Sequence, residues 1–496
     1  ISSTRWTFVV DLPPQHMMLP EAFVTRLRAL LGPAEASALC LALTEGDSPV
    51  SVRRNPAKCA DEELRFFAAP APVSPTSPTA STVSPEGGAP AAEAPADPAP
   101  LLSTPVPWCA YGRYLSARPA FALDPRWHAG AYYVQEAASM FVAAAYAAAF
   151  PDEAPRRVLD LCAAPGGKST LWRTLLPDDA LLVANEPVKS RANILAENLT
   201  KWGNPNTVVA NAYPADFGRL VSAFDLVATD VPCSGEGMFR KQPDATQYWT
   251  PDYPAQCAQL QREILTAAMR MLAKDGRLVY STCTWAPEEN EDIVAWLLAE
   301  FPLELIDISK INGMTEGIGF PETARMYPHR FKGEGQFAAH FRFTGENSCK
   351  KIKSGKNRLT SDQRKLWQDF ESKHLKTILT GDLQTFGDNL YLLPSGLPDL
   401  SKLKIARNGL HLGTFKKNRF EPSFALGLAM KPSEVLNRVE ISNQDFKKYV
   451  AGETIELAET KPNGWYQLVL GGNGLGFAKV TGKTLKNYFP KGLRFR

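Results

Sequence analysis

Two cysteines are placed where a nucleophile and its helper would be useful. Cys233 sits in the run DVPCSGEGMFRK that starts at Asp230, and Cys283 in STCTWAPEENE that starts at Ser281, each just after a short apolar or β-branched stretch. Taken singly, a free cysteine is most often a small buried apolar residue. A pair at the ends of neighbouring strands reads differently, because both thiols then face one crevice. A thiolate that adds to C6 of a cytosine turns C5, which is not itself nucleophilic, into an enamine carbon able to accept a methyl cation equivalent. Afterwards the C5 proton must leave and the covalent bond must break, so a second acid or base beside the ring is needed. Asp230 is a candidate for holding the polar edge of the base, with a plain turn role as the alternative.

A second cluster lies upstream, where Asp160 and Leu161 lead into Cys162, Ala163, Ala164, Pro165, Gly166, Gly167 and Lys168. Small residues let the backbone approach a ligand closely, and the N–H groups at a helix start favour negative charge. The spacing matches neither GxGxxG nor GxxxxGK[ST], so neither a dinucleotide pyrophosphate nor a triphosphate is the natural occupant. Glu186, with Asn185 before it, stands where an acidic residue of a doubly wound sheet accepts hydrogen bonds from ribose hydroxyls. Ribose and adenine without phosphates point to S-adenosyl-L-methionine (AdoMet).

These groups need a sheet to hold them. Between Arg157 and Phe343, short β-rich runs alternate with helical stretches, the pattern of a parallel sheet covered on both faces. Strands are expected at Val158–Leu161, Leu181–Ala184, Thr207–Ala210, Asp225–Thr229 and Arg277–Ser281, with a late strand at Phe337–Phe343. In an open sheet of this kind, ligands sit beyond the carboxyl ends of the strands, and the fourth and fifth strands are neighbours about 4.8 Å apart. Cys233 and Cys283 then share the crevice. The apolar stretch Ala137–Phe150 is too short to span a bilayer, which takes about 20 residues, and reads as a buried helix.

A length of 496 residues exceeds what one core supports, so two or three domains are expected, and the composition is that of a globular protein. The formal charge is only +3, yet from Lys350 to Arg496 Lys and Arg outnumber Asp and Glu roughly two to one. That concentration allows a nucleic-acid partner or simply a solvated basic face. Eight scattered cysteines and six histidines form neither a disulfide framework nor a metal-ligand cluster, which fits a reducing cytoplasm and no metal. Residues 1–17 lack the features of a secretory signal and are expected to be an unstructured leader, with Met17 or Met18 a natural opening for the helix that follows.

From Leu19 to about Phe67 the pattern is helical, with Phe23, Leu27, Leu30 and Leu31 on one face. Residues 70–107 are rich in Pro, Ala, Ser and Thr, with almost nothing large to bury, and read as a disordered insertion. The boundaries are therefore an N-terminal unit over 18–69, continued over 108–154; a catalytic domain over 155–346; a polar linker over 347–360; and a C-terminal domain over 361–496.

The motifs DLCAAPGGKST, DVPCSGEGMFRK and STCTWAPEENE together resemble the bacterial ribosomal RNA cytosine-C5 methyltransferases of the RsmF type, within the Nol/Nop/Sun family. The resemblance extends to SVRRNPAK (Ser51–Lys58), AYYVQEAASM (Ala131–Met140) and the C-terminal GLHLGTFKKNRFEPSFAL, so it covers most of the chain. It implies a Rossmann-like methyltransferase domain, an N-terminal RNA-positioning unit and an α+β PUA-like RNA-binding module. It also implies Cys283 as nucleophile, Cys233 as the residue that assists release, and residues Cys162 to Lys168, Glu186 and Asp230 around AdoMet. In one place the chain departs from the family, which usually carries an acid after the third strand to meet adenine; here Asn211, Ala212 and Tyr213 follow, and Asn211 would serve as an amide.

The expected partner is ribosomal RNA of the small subunit, free or in an assembling particle, acted on by a monomer with no membrane association. The same catalytic motifs serve tRNA cytosine methylation, so tRNA is the alternative substrate. A non-catalytic assembly factor would be favoured by loss of either cysteine, and both are present. In DNA cytosine methyltransferases the Pro-Cys cysteine is the nucleophile, and here the second cysteine and basic tail argue against that class. The basic C-terminal part is expected to be separable, its deletion weakening RNA binding but not AdoMet binding.

Overall fold

The computed structural model describes residues 18–60, 64–67, 100–150, 153–311, 313–347 and 359–495. The leader, residues 68–99 with most of the expected insertion, and residues 348–358 of the linker lie outside the described residues.

The N-terminal unit opens with α1 (Glu21–Leu31) and α2 (Pro33–Thr44). Helical periodicity does not continue to Phe67 as expected. After Thr44 the breakers Gly46, Asp47 and Pro49 end it, and Val50–Arg54 forms strand β1. β2 (Ser103–Val106), β3 (Cys109–Leu115), α3 (Pro125–Ala129) and β4 (Tyr132–Val134) complete the unit, whose sheet runs β2-β3-β1-β4. The expected insertion is thus too long at its C-terminal end. Pro100 bridges to Phe67, and β2 pairs antiparallel with β3, which gives the polar strand its backbone partners despite its lack of large side chains.

The catalytic domain follows with α4 (Val142–Ala149), β5 (Arg157–Asp160), α5 (Gly167–Leu175), β6 (Leu181–Asn185), α6 (Lys189–Trp202), β7 (Thr207–Ala210), β8 (Phe224–Asp230), α7 (Tyr253–Met271), β9 (Leu272–Thr282) and α8 (Glu291–Glu300). Then come β10 (Leu303–Ile306), β11 (Thr315–Gly317), β12 (Phe320–Met326) and β13 (Gln336–Phe343). Strands β9-β8-β5-β6-β7 are parallel neighbours, and β13 adds antiparallel to β9. Strand alternation makes the two layers: Leu181 and Val183 face α7 and α8, whereas Leu182 and Ala184 face α5 and α6. All six expected strands are present. The Ala137–Phe150 stretch is a 3-10 turn over Ala138–Phe141 running into α4, with its first part buried.

Beyond the linker stand α9 (Ser361–His374), β14 (Asp382–Phe386), β15 (Asn389–Leu393), β16 (Ile405–Arg407), β17 (Leu410–Lys416), β18 (Arg419–Pro422) and α10 (Phe424–Ala429). β19 (Arg438–Glu440), α11 (Asn443–Ala451), β20 (Ile455–Leu470) and β21 (Asn473–Lys486) close the chain. The C-terminal part holds two separate sheets, β14-β15-β17-β18 and β19-β20-β21. Its remaining strand, β16, leaves both and pairs antiparallel with β7 at the edge of the catalytic sheet. Arg407 secures it by donating to the carbonyls of Thr207 and Asn204. The C-terminal part thus supplies the strand that caps an otherwise open edge of the catalytic sheet, a link that the expected separability does not include.

Among the described residues no helix is long and apolar enough to cross a membrane, and no group of three or more His, Cys, Asp or Glu is arranged to hold a metal.

Candidate active site

The chain reverses direction across the sheet at β5, with β6 and β7 on one side and β8 and β9 on the other, so the carboxyl ends of β5 and β8 bound a crevice. Because β8 and β9 are in register through Asp230 and Ser281, the loops that follow carry Cys233 and Cys283 out side by side. Their Sγ atoms stand 3.2 Å apart, and the Cys283 backbone N–H donates to Cys233 Sγ at 3.3 Å. The hydrogen bond with Cys283 and then burial push the Cys233 thiol well above its ordinary value.

Under the thiols lies a buried hydrogen-bonded chain. Ser234 and Thr284, each the residue after a cysteine, meet through their hydroxyls at 2.8 Å. Ser234 donates its backbone N–H (3.0 Å) and its hydroxyl to the Glu289 carboxylate, which also accepts from Gln261 Nε2 at 2.8 Å. Gln261 donates in addition to the carbonyl of Pro232 at 2.9 Å. On the other side Glu236 accepts from Trp249 Nε1 at 3.1 Å and from the Trp285 backbone at 3.2 Å. Burial raises both carboxyls, that of Glu289 to about 7. Close approach of the backbones completes the loop: a Cβ at Gly237 would lie 2.7 Å from Gly335 Cα and 2.8 Å from the Cys283 carbonyl oxygen.

Asp230 ends β8 between two donors, Ser281 Oγ at 2.8 Å and Lys168 Nζ at 2.9 Å. Burial works against the charge of Lys168, but Asp230 foremost, joined by Cys283 and Asp160, outweighs it and holds the ammonium above its ordinary value. This pair joins the start of α5 to the end of β8 across the crevice.

The turn from Cys162 to Lys168 is fastened from outside through its carbonyls. Ala164 accepts from Arg191 Nη2 at 3.1 Å, Pro165 from Asn198 Nδ2 at 2.8 Å and Gly167 from Arg53 Nη2 at 3.2 Å, while the Ala163 N–H donates to the Asn185 carbonyl at 2.9 Å. Gly166, with φ 114°, adopts a backbone conformation that side-chain-bearing residues rarely take. Burial, followed by Asp160, pushes the Cys162 thiol up, which disfavours its thiolate. Asp160 itself is buried below the turn, accepts from Ser169 Oγ at 2.6 Å and is raised to about 7, chiefly by burial.

Glu186 directly follows β6 with 2 % of its surface exposed, and its carboxylate accepts from the Val188 N–H at 2.9 Å and pairs with Arg191 at 3.4 Å. Asn211 is not simply an amide in place of an acid. Its Nδ2 donates to the carbonyls of both Glu186 and Pro187 at 2.8 Å, which fixes the loop that carries the ribose candidate. Acidic groups at Glu186, Asp230 and Asp160 line the turn, and the cations beside them are already paired, Lys168 with Asp230 and Arg191 with Glu186 at 3.4 Å, so the site suits a nucleoside without phosphates better than a phosphate-bearing one. The residues present therefore fit AdoMet.

Several residues of the candidate site are not singled out by the sequence pattern, although most lie within the quoted motifs. Glu289, Gln261, Ser234 and Thr284 come together only where two loops meet helix α7. Arg53 of SVRRNPAK is buried under the glycine turn, where it donates to Gln135 Oε1 at 2.7 Å and lies 4.5 Å over the Trp202 ring. Lys58 of the same motif donates to the carbonyls of Ala129 (2.7 Å) and Lys201 (2.6 Å), and burial lowers it to about 7. That motif is the joint between the N-terminal and catalytic units. α1 completes it from the opposite side, where Phe23 packs 5.1 Å from the Phe239 ring and 5.5 Å from Trp249.

A Rossmann-like sheet with an acidic cradle at the first turn, and two thiols in contact at the fourth and fifth strand ends, defines an AdoMet-dependent methyltransferase. Comparison with known proteins agrees. The family model for 16S rRNA methyltransferase RsmB/F matches residues 148–342, flanked by the N-terminal domain of 16S rRNA methyltransferase RsmF at 91–137, the RsmF first C-terminal domain at 369–430 and the RsmF PUA domain at 436–495. Ribosomal RNA small subunit methyltransferase F of Cronobacter sakazakii (strain ATCC BAA-894) is 31% identical over 409 residues, 79% of this chain and 84% of that protein. Its counterpart in Escherichia coli (strain K12) is 29% identical over 409 residues, with the same shares. The chain belongs to the RsmF family of ribosomal RNA methyltransferases. Among solved structures, a methyltransferase homologue from Pyrococcus horikoshii is 25% identical with a TM-score of 0.51, covering 66% of this chain and 96% of that one. NSun6 from Pyrococcus horikoshii with SFG shares the fold, at 19% identity and a TM-score of 0.52 over 66% of this chain and 100% of that one.

Proposed function

We propose that this protein transfers the methyl group of AdoMet to carbon 5 of a cytosine in small-subunit ribosomal RNA, through a transient bond between Cys283 and C6. The observation that carries the reading is the 3.2 Å thiol pair beside the Lys168–Asp230 ion pair, at the rim of the cofactor cradle. Cys283 adds as thiolate to C6, and the electron pair of the C5–C6 double bond becomes available at C5. Asp230, held by Ser281 and Lys168, receives the polar edge of the base and keeps the ring over the thiol. AdoMet supplies an electrophilic methyl, which C5 takes up. Loss of the C5 proton to a base then restores the double bond as the C6–S bond breaks and Cys283 leaves as thiolate. Cys233, in contact with that sulfur, is the residue placed to assist release.

The basic C-terminal part and the N-terminal helices that roof the cysteine loops are the RNA-facing surfaces in this reading. The protein works as a cytoplasmic monomer in this reading, its eight cysteines scattered along the sequence as in proteins of a reducing compartment. Bisulfite sequencing of 16S rRNA and tRNA, from cells with and without the gene, tests the assignment. A cytosine protected only when the gene is present is expected in 16S rRNA. Protection confined to tRNA would move the substrate, and no change in either RNA would overturn the reading.

A further inference from the structure

Two identical thiols in contact pose a question of proton ownership: one must become the attacking thiolate and the other must not. Their surroundings are unlike. Cys283 lies within the field of the Lys168 ammonium, and the interaction of the two raises Lys168. The loop of Cys233 is instead bound to Glu289, a carboxylate with none of its surface exposed. Every donor on that carboxylate is neutral: the Ser234 N–H, the Ser234 hydroxyl and the Gln261 amide. Its charge is therefore hydrogen-bonded without being cancelled, and it acts on whatever lies nearby through a medium of low dielectric.

We propose that Glu289 is a positioning residue that sorts the two thiols: bonded into the Cys233 loop, its negative charge keeps the proton on Cys233 and leaves Cys283, facing Lys168, as the thiolate. This rests on the cysteine mechanism above. Other titratable groups face Glu289 from each neighbouring element, namely Cys257 and Tyr253 of α7, Tyr280 of β9 and Glu236 of the Cys233 loop. All four are pushed toward their protonated forms, with burial among the causes for each, so in the range where thiols ionise they add no positive charge to offset Glu289. Glu289 itself ionises near 7, so its charge is present where thiols titrate. Glu289 is among the causes that raise Cys233, after Cys283 and burial.

Thiol alkylation tests this without any RNA. The folded full-length protein is treated with iodoacetamide from about pH 6 to about pH 10, and peptide mass spectrometry reads the rate at each cysteine. Cys283 is expected to react at lower pH than Cys233 in the wild type. In Glu289→Gln the ratio of the two rates should fall by about tenfold, and Glu289→Asp should restore most of it. An unchanged ratio in Glu289→Gln, in protein that still binds AdoMet, overturns the proposal. Should Glu289→Gln not fold, the wild type supplies the same comparison, because Glu289 takes up its proton near 7 and loses its charge there. The ratio of the Cys283 rate to the Cys233 rate must then widen as pH rises from about 6 to about 8, and a ratio that stays flat over that range overturns the proposal. Failure here leaves the bisulfite result untouched, so the two readings fall separately.

Discussion

Lys168 Nζ lies 2.9 Å from Asp230 Oδ2, so the residue that closes the glycine turn and the residue that ends β8 are bound to each other across the crevice. One ion pair thereby ties the cofactor cradle to the base-binding edge. Asp230→Asn keeps the shape but gives up the charge that holds Lys168. Turnover should fall by roughly a hundredfold to ten-thousandfold, with AdoMet affinity changed much less. Single-turnover methylation and calorimetry on the same preparation separate the two, and equal losses in both would contradict the assignment.

The two cysteines should fail in different ways. Cys283→Ala abolishes methylation and any covalent RNA complex. Cys233→Ala keeps the attacking thiol but lacks assistance at release, so with AdoMet and substrate RNA a shifted band should accumulate on a denaturing gel. An adduct formed by Cys283→Ala that disappears in the double variant would exchange the roles.

Glu186→Ala should weaken AdoMet binding roughly tenfold to a hundredfold, the cost of about 1 to 3 kcal/mol for a hydrogen-bonded ribose contact. Asn211→Asp, which restores the acid usual in the family, is also expected to weaken binding. The amide donates to the carbonyls of Glu186 and Pro187, and a carboxylate would face both with like partial charge. Calorimetry decides each case, and tighter binding by Asn211→Asp would show that adenine recognition outweighs the loop.

Burial raises the Asp160 carboxyl to about 7, against an ordinary value of about 4, which makes stability depend on pH with a definite sign. Below about pH 4 the group is protonated in folded and unfolded chains alike and carries no penalty. Between about 4 and about 7 the unfolded chain ionises first, so this contribution to stability is lost as pH rises. Asp160→Asn removes the titration. Its melting temperature relative to wild type should therefore rise by roughly 2 to 4 °C between pH 5 and pH 8. A difference that stays flat across that range would show that Asp160 does not titrate there.

Deleting residues 348–496 removes β16 together with the basic modules. The catalytic sheet then loses the partner of β7, and Asn211 loses the Lys404 carbonyl that its backbone N–H reaches at 2.8 Å. The truncated protein should bind AdoMet more weakly and aggregate more readily, as well as losing RNA affinity. Intact AdoMet affinity in a soluble fragment would show that the edge strand is dispensable.

Much of this architecture is legible in the residues alone, for identifiable reasons. The parallel strands are continuous apolar runs because both faces are buried, and Cys233 and Cys283 follow two of them directly. Contacts made across distance are not legible. Nothing local distinguishes Glu289 from Glu288, yet the first is buried against Ser234 and Gln261 and the second reaches outward to Arg26 at 2.8 Å. Ser103–Val106 has the composition of the run before it and becomes a strand only because β3 offers an edge. Ile405–Arg407 likewise has no pattern that ties it to β7, about two hundred residues earlier in the chain.

That last pairing bears on how the protein is made. A chain emerging from the ribosome at roughly 5 to 20 residues per second exposes the catalytic strands well before Ile405 is synthesised. For several seconds the nascent sheet has β7 as a bare flank, competent to recruit any extended segment nearby, including one from an adjacent nascent copy. The enzyme is thus not a string of independently maturing modules. Its catalytic sheet acquires its last edge partner only when Ile405–Arg407 has been translated, so completion of that sheet is tied to synthesis of the C-terminal part.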